Sequence, residues 1–253
     1  MLSSTPAAIV LRHLVAVCAT ILLAPSAGWA GPPYMTDDPE PVEYRHWEVY
    51  LAGQHFVSRD GASGSAPFMD LNYGVWPGLQ LHFMGQLAYV RPSTGPGFYG
   101  VGDTELGAKI RFLNEGEWWP MMSVYPLFDF PTGDAAHGLG TGHVHAFVPL
   151  WLQKSFGAWT TFGGGGIWAN PGTGNRDYWY VGWEVQRRFS DRTTIGTEIF
   201  YTTPDQVRAD AKLSFNVGLL LDLTLQHHLL FSAGRSIVGG SLFQGYAAYQ
   251  LTL

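Results

Sequence analysis

The chain has 253 residues and a formal charge of −6, with 13% charged residues set against 15% aromatic ones and 32 glycines. A soluble domain carries about twice that charged fraction. The mild acidity also argues against a nucleic-acid partner, which needs a basic patch to grip phosphates.

The N-terminus reads as an export signal. Arg12 and His13 precede an apolar run from Leu14 to Leu23, and the small residues Gly28 and Ala30 sit where a cleavage site needs them. The run is too short to cross a bilayer as a helix, which takes ~20 residues. Residues 1–30 are therefore expected to be a signal peptide, with the mature chain starting at Gly31. Cys18, the single cysteine, lies inside the run, so the mature chain has neither disulfide nor thiolate chemistry.

Residues 31–42 form an extended, acidic, proline-rich segment. Pro32, Pro33, Pro39 and Pro41 lack the N–H that a β-ladder requires. Asp37, Asp38, Glu40 and Glu43 make it acidic. Two readings stand: a solvated tail, or a plug in a barrel mouth pairing with Lys109, Arg111 or Arg188.

From residue 43 to 253 the sequence is a ladder of alternating segments. Strands are expected near 43–57, 65–76, 79–91, 102–113, 118–130, 143–155, 158–169, 178–189, 193–202, 210–223, 228–237 and 242–253. Connectors alternate between short turns such as Pro77-Gly78 and Phe156-Gly157 and longer stretches such as 92–101, 131–142 and 170–177. In Asp103 to Phe112 one face carries Asp103, Glu105, Lys109 and Arg111, while the other carries Leu106, Ala108, Ile110 and Phe112.

Alternation alone fits a soluble lipid-binding barrel as well as a membrane barrel. Low charge, strands long enough to cross a tilted path, and aromatics near strand ends favour the membrane barrel, greasy face outward. Trp76, Trp118, Trp119 and Trp159 lie by short turns; Trp168, Trp179 and Tyr89 lie by longer loops. Trp179 and Phe189 share one face, and at roughly 3.3 Å per residue on a tilted strand they span ~25 Å of membrane. Arg187, on that same face, is placed to snorkel to the interface. The fold class is thus an all-β, single antiparallel transmembrane barrel of about twelve strands, with lipid as its solvent.

The inward face then holds Glu105, Lys109, Arg111, Glu184, Arg188, Glu198 and Lys212 as candidate lining residues. These groups either pair across a partly filled lumen or line a path for a small solute. Catalysis finds little support. His143 and His145 adjoin a loop with Asp134 and His137, yet a metal site needs three or four convergent ligands. No serine stands in a hydrolase motif. Gly163 to Gly166 is followed by no Gly-Lys-Ser/Thr, so it reads as close strand approach rather than a phosphate loop. No enzyme activity, metal or cofactor is expected.

Phe243, Gly245, Ala247, Tyr249, Leu251 and Leu253 share the face of a final strand. Such strands commonly end in an aromatic residue, from which Leu253 departs; the barrel-assembly machinery is the expected partner in insertion.

Several blocks together resemble the predicted outer-membrane transporter family associated with the meta-pathway of phenol degradation. They are PPYMTDDPEPVEYRHWEVY at 32–50, GDTELGAKIRF at 102–112, PTGD at 131–134, GWEVQRRFSDRTTIGTEIFYTTPD at 182–205 and HHLLFSAGR at 227–235. The resemblance covers nearly the whole mature chain. It implies a barrel in the outer membrane of a Gram-negative bacterium that passes small, aromatic or hydrophobic compounds, and it brings no catalytic motif. The alternative is a closed structural or surface-binding barrel without transport.

Overall fold

The computed structural model describes residues 33–240 and 242–253, so the signal expected over residues 1–30 lies outside the described residues. Fourteen ladder segments make twelve strands, because two strands are each interrupted once. The first three are β1 (Trp47–Ser58), β2 (Gly61–Trp76) and β3 (Leu79–Pro92). β4 runs through Phe98–Val101 and Thr104–Leu113, and β5 through Met121–Val124 and Leu127–Phe130. β6 (His145–Phe156), β7 (Trp159–Ala169), β8 (Tyr178–Ser190) and β9 (Thr193–Thr202) follow. β10 (Lys212–Asp222), β11 (His227–Val238) and β12 (Phe243–Thr252) complete the wall. Every pairing between strands is antiparallel, and β1 pairs with β12 from Glu48↔Thr252 to Val57↔Phe243, which closes the barrel. Closure removes the edge strands that a bilayer could not satisfy.

Two interruptions have visible causes. In β5 the regular ladder is interrupted at Tyr125 and Pro126, where Pro126 has no N–H to give although its carbonyl still accepts from Ala108 N (3.1 Å). In β4 the break falls at Gly102 and Asp103, where the Asp103 carboxylate leaves the wall to hold the next loop. Asp103 accepts from Gly133 N (2.9 Å), Thr141 N (2.7 Å) and Thr141 Oγ1 (2.8 Å). The loop between β5 and β6 is thereby pinned; its one helical turn is the 3-10 turn Ala135–His137.

Three boundaries depart from the sequence reading. β1 starts at Trp47 rather than residue 43, because Arg45 takes a positive φ of 67° and turns the chain into the wall. The stretch 58–64, expected as a loop, is a tight turn at Arg59 and Asp60. Gly61 to Ser65 pair on both sides despite their loop-like composition. β4 begins at Phe98, so the connector before it is shorter than 92–101.

The wall is inverted relative to a soluble barrel. On β8, Trp179, Val181, Trp183 and Phe189 are exposed at 54%, 51%, 48% and 59%, whereas Tyr180 and Glu184 on the opposite face are 6% and 0% exposed. The apolar side chains are the ones left outside, as lipid requires. Arg187 shares that outer face with its guanidinium 5.3 Å from the Trp159 ring and 5.1 Å from the Phe189 ring, near the short turn, where a charged head reaches the interface. Trp168 goes the other way. Its place by a longer loop groups it with the interfacial aromatics, but its neighbour Ile167 takes the outer face and Trp168 stacks inward on Phe147 at 4.7 Å.

The glycine run in β7 marks close approach, as expected. A Cβ on Gly164, whose φ is 152°, would stand 2.0 Å from the Leu150 carbonyl oxygen.

Candidate functional site in the lumen

Residues 33–42 leave the solvent and run through the interior. Thr36, Asp38 and Val42 are 0%, 2% and 4% exposed, so a solvated tail is not what the fold shows. Because the prolines forbid ladder bonding, the segment's N–H groups find side chains. Asp38 N donates to Asp37 Oδ1 (2.8 Å) and Glu40 N to Asp38 Oδ1 (2.7 Å), local turns that aspartates make readily. Met35 N and Thr36 N both donate to Glu198, at 2.8 Å each, and Val42 N donates to Gln80 Oε1 (2.8 Å).

Two anchors hold the segment. At the first, Glu198 on β9 takes those two N–H groups and also accepts from Asn216 on β10. Beside it the Tyr34 ring lies where Gly196 and Gly218 carry no side chain; a Cβ on Gly218 would come within 2.4 Å of the ring. Burial, with Glu184 and Glu198 nearby, raises the Tyr34 phenol above its usual range. At the second anchor, Lys109 on β4 is 2% exposed, with its Nζ 3.1 Å from Asp37 and 3.6 Å from Asp38. Burial pushes the Asp37 carboxyl up to about 6 even though Lys109 pulls it down. Burial, then Asp38, pushes Glu40 up to about 7 against the pull of Arg111.

The remaining candidates are distributed along the lumen. Glu105 receives His82 Nε2 at 2.8 Å, and His82 Nδ1 stands 3.2 Å from Asp70. Glu184 is fully buried opposite Glu198, and neither of its carboxylate oxygens has a hydrogen-bond partner among the described residues. Arg188 is exposed at the mouth near the short turns, within electrostatic reach of Asp222. Lys212 stands at the opposite rim, 3.6 Å from Asp205 on the adjoining loop. Glu43 needs correction as a member of the interior segment. Its side chain is 72% exposed and faces His46, because the chain has already turned outward after Val42.

The segment borders two spaces. A cavity of about 290 Å³ touches Tyr34 to Asp37 and is lined from Trp168 and Tyr180, near a longer loop, to Glu48 and Gln80, near the short-turn end. A second, of about 660 Å³, lies at the mouth near the short turns and touches Glu40, Glu115 and Arg188.

An aromatic cluster was not visible in the sequence. Tyr125, Phe147, Trp151, Tyr180 and Phe200 are buried together, so the lumen is not lined by polar and small residues alone. β6 reads HAFVPLWLQKSF, apolar on both faces, and alternation gave it no orientation. Among the described residues no three His, Cys, Asp or Glu side chains are grouped to hold a metal ion; His137 instead pairs with Asp134 at 2.6 Å.

No protein-family model matches the chain, and no curated protein does. Solved structures do. An outer-membrane channel of the COG4313 group from Pseudomonas putida F1 superimposes with a TM-score of 0.67 at 17% identity, over 89% of this chain and 100% of that one. The NanC porin gives 0.59 at 6% identity over 81% and 100%, and the KdgM porin in complex with disordered oligogalacturonate 0.54 at 10% over 80% and 98%. At such identities the likeness is one of fold: a closed twelve-stranded barrel of the kind seen in outer-membrane channels and porins.

Proposed function

We propose that the protein is a channel of the Gram-negative outer membrane that passes small solutes, with residues 33–42 as a plug in its lumen. The observation that carries this reading is the interior segment lining two cavities, held by side chains rather than by the ladder. Asp37, Asp38 and Glu40 act as plug residues. Glu105, Lys109, Arg111, Glu184 and Arg188 line the path, with Glu198 as an anchor and Lys212 at the outer rim. Lining residues act through charge and hydrogen bonding, not covalent chemistry. The channel and porin folds support passage, and the aromatic cluster supports solutes with an apolar or aromatic body, as the resemblance to the phenol-pathway transporter family implies.

Single-channel recording tests it. The mature chain, residues 31–253, should show rare or small openings in a planar bilayer, and deletion of residues 31–41 should raise the conductance several-fold. A folded deletion variant that stays silent would favour the closed structural or surface-binding barrel.

A further inference from the structure

The cavity of about 290 Å³ has two unlike walls. One is aromatic. Phe147 stacks on Trp168 at 4.7 Å with an interplanar angle of 4°, and Trp151 and Tyr180 meet Phe147 edge-on at 6.3 and 6.1 Å. The other is acidic. Asp37, Asp70 and Glu105 line the same cavity. The cations among the lining residues are Lys109 and, when protonated, His82. Each already serves two carboxylates: Lys109 those of Asp37 and Asp38, His82 those of Asp70 and Glu105. Carboxylates thus outnumber cations around a space that faces aromatic rings.

Two separate attractions converge on one kind of guest. Carboxylates taken out of bulk water need a positive partner, and the faces of tryptophan and tyrosine attract a cation through the ring quadrupole. A third observation comes from Trp151, which is 1% exposed, lines the cavity and has no hydrogen-bond partner for its Nε1 among the described residues. An indole N–H only donates, so the guest should carry an acceptor oxygen. The volume lies at the lower end of the range for small-molecule pockets, roughly 300 Å³ upward, which suits a single-ring compound.

We propose that this chamber binds a small organic ammonium ion with an aromatic ring and a hydroxyl oxygen, in preference to neutral or anionic compounds of the same shape. The inference rests on the lumen being a solute path, and it narrows the solute to a cation.

Three probes differing in charge test it: tyramine, 4-ethylphenol and 4-hydroxyphenylacetate, titrated calorimetrically into the folded full-length mature barrel in detergent. Tyramine should bind about tenfold or more tighter than 4-ethylphenol, as one desolvated cation–π contact allows, and 4-hydroxyphenylacetate should be weakest. Glu105→Gln and, separately, Asp70→Asn should narrow the gap between tyramine and 4-ethylphenol. Glu117→Gln, in the second cavity, should leave it unchanged. A heat-dependent gel shift shows which variants are folded. Equal binding of the three probes, a preference for the anion, no binding of any of them, or a gap unmoved in both folded chamber variants would overturn the inference. Calorimetry does not depend on conductance. A barrel that binds tyramine but whose folded variant lacking residues 31–41 passes no current would sink the channel reading, and a conducting barrel indifferent to charge would sink this one.

Discussion

The two faces of the same strands obey opposite rules. Outside, Trp183, Ile199 and Val217 stand on neighbouring strands 48%, 48% and 51% exposed, and lipid is their partner. Inside, Glu198, Lys109 and His82 are 2%, 2% and 7% exposed, and each is matched to particular atoms of another segment. The outer face therefore asks only that a side chain be apolar, whereas the inner face asks for particular residues at particular places. Substitutions should separate the two: inside, loss of one partner strands another, while outside only polarity matters.

The largest effect is expected where a buried ion pair loses one member. Lys109→Met takes the ammonium away from Asp37 and Asp38, and breaking such a buried pair costs about 3–5 kcal/mol. Much of that should fall on docking of the segment rather than on the wall, because the wall is held by its ladder. Limited proteolysis of residues 33–42 should speed up by orders of magnitude while the heat-modifiable gel shift persists. A protected segment in the variant would break the comparison.

On the outer face, Val185→Arg should cost about 2–4 kcal/mol, the penalty for an arginine near the bilayer midplane. Urea titration in lipid reads it. Val185→Leu should be neutral there, whereas even the isosteric Glu198→Gln inside should loosen the segment, since its amide would present a donor towards N–H groups that need an acceptor.

This contrast also explains what the sequence could reveal. The outer face is a periodic signal, so the barrel, the strand count and the outward position of Arg187 were legible from alternation. The inner face is aperiodic. Lys109 was readable as an inward cation, and its pairing with the acidic segment was one of two open readings. Nothing in the pattern tied Glu198 to the N–H groups of Met35 and Thr36, 163 and 162 residues away. Nor could alternation assign Trp151 and Phe147, because β6 is apolar on both faces. Trp168 misled for a related reason: near a strand end, inward and interfacial tryptophans share one composition.

The smallest effect concerns pH, and it sharpens the comparison because it falls on the inner face. Asp37 and Glu40 are held up to about 6 and about 7 when docked, chiefly by burial, and return toward ordinary carboxylate values if the segment is released. The docked state therefore binds more protons than the released one, so docking is favoured as pH falls. That advantage is complete below the released-state values and is lost as pH rises through about 6 and then about 7. Lys109 tempers it, because protonating Asp37 weakens their contact. Conductance of the unmodified barrel should accordingly rise ~2- to 5-fold from pH 5 to pH 8, and Glu40→Gln should flatten the upper part of that rise. The Lys109→Met variant, its segment already displaced, should show almost no pH dependence. A conductance that falls over the same range would mean that the two carboxylates are easier to ionise in place than in water, and that Lys109, rather than burial, rules the anchor.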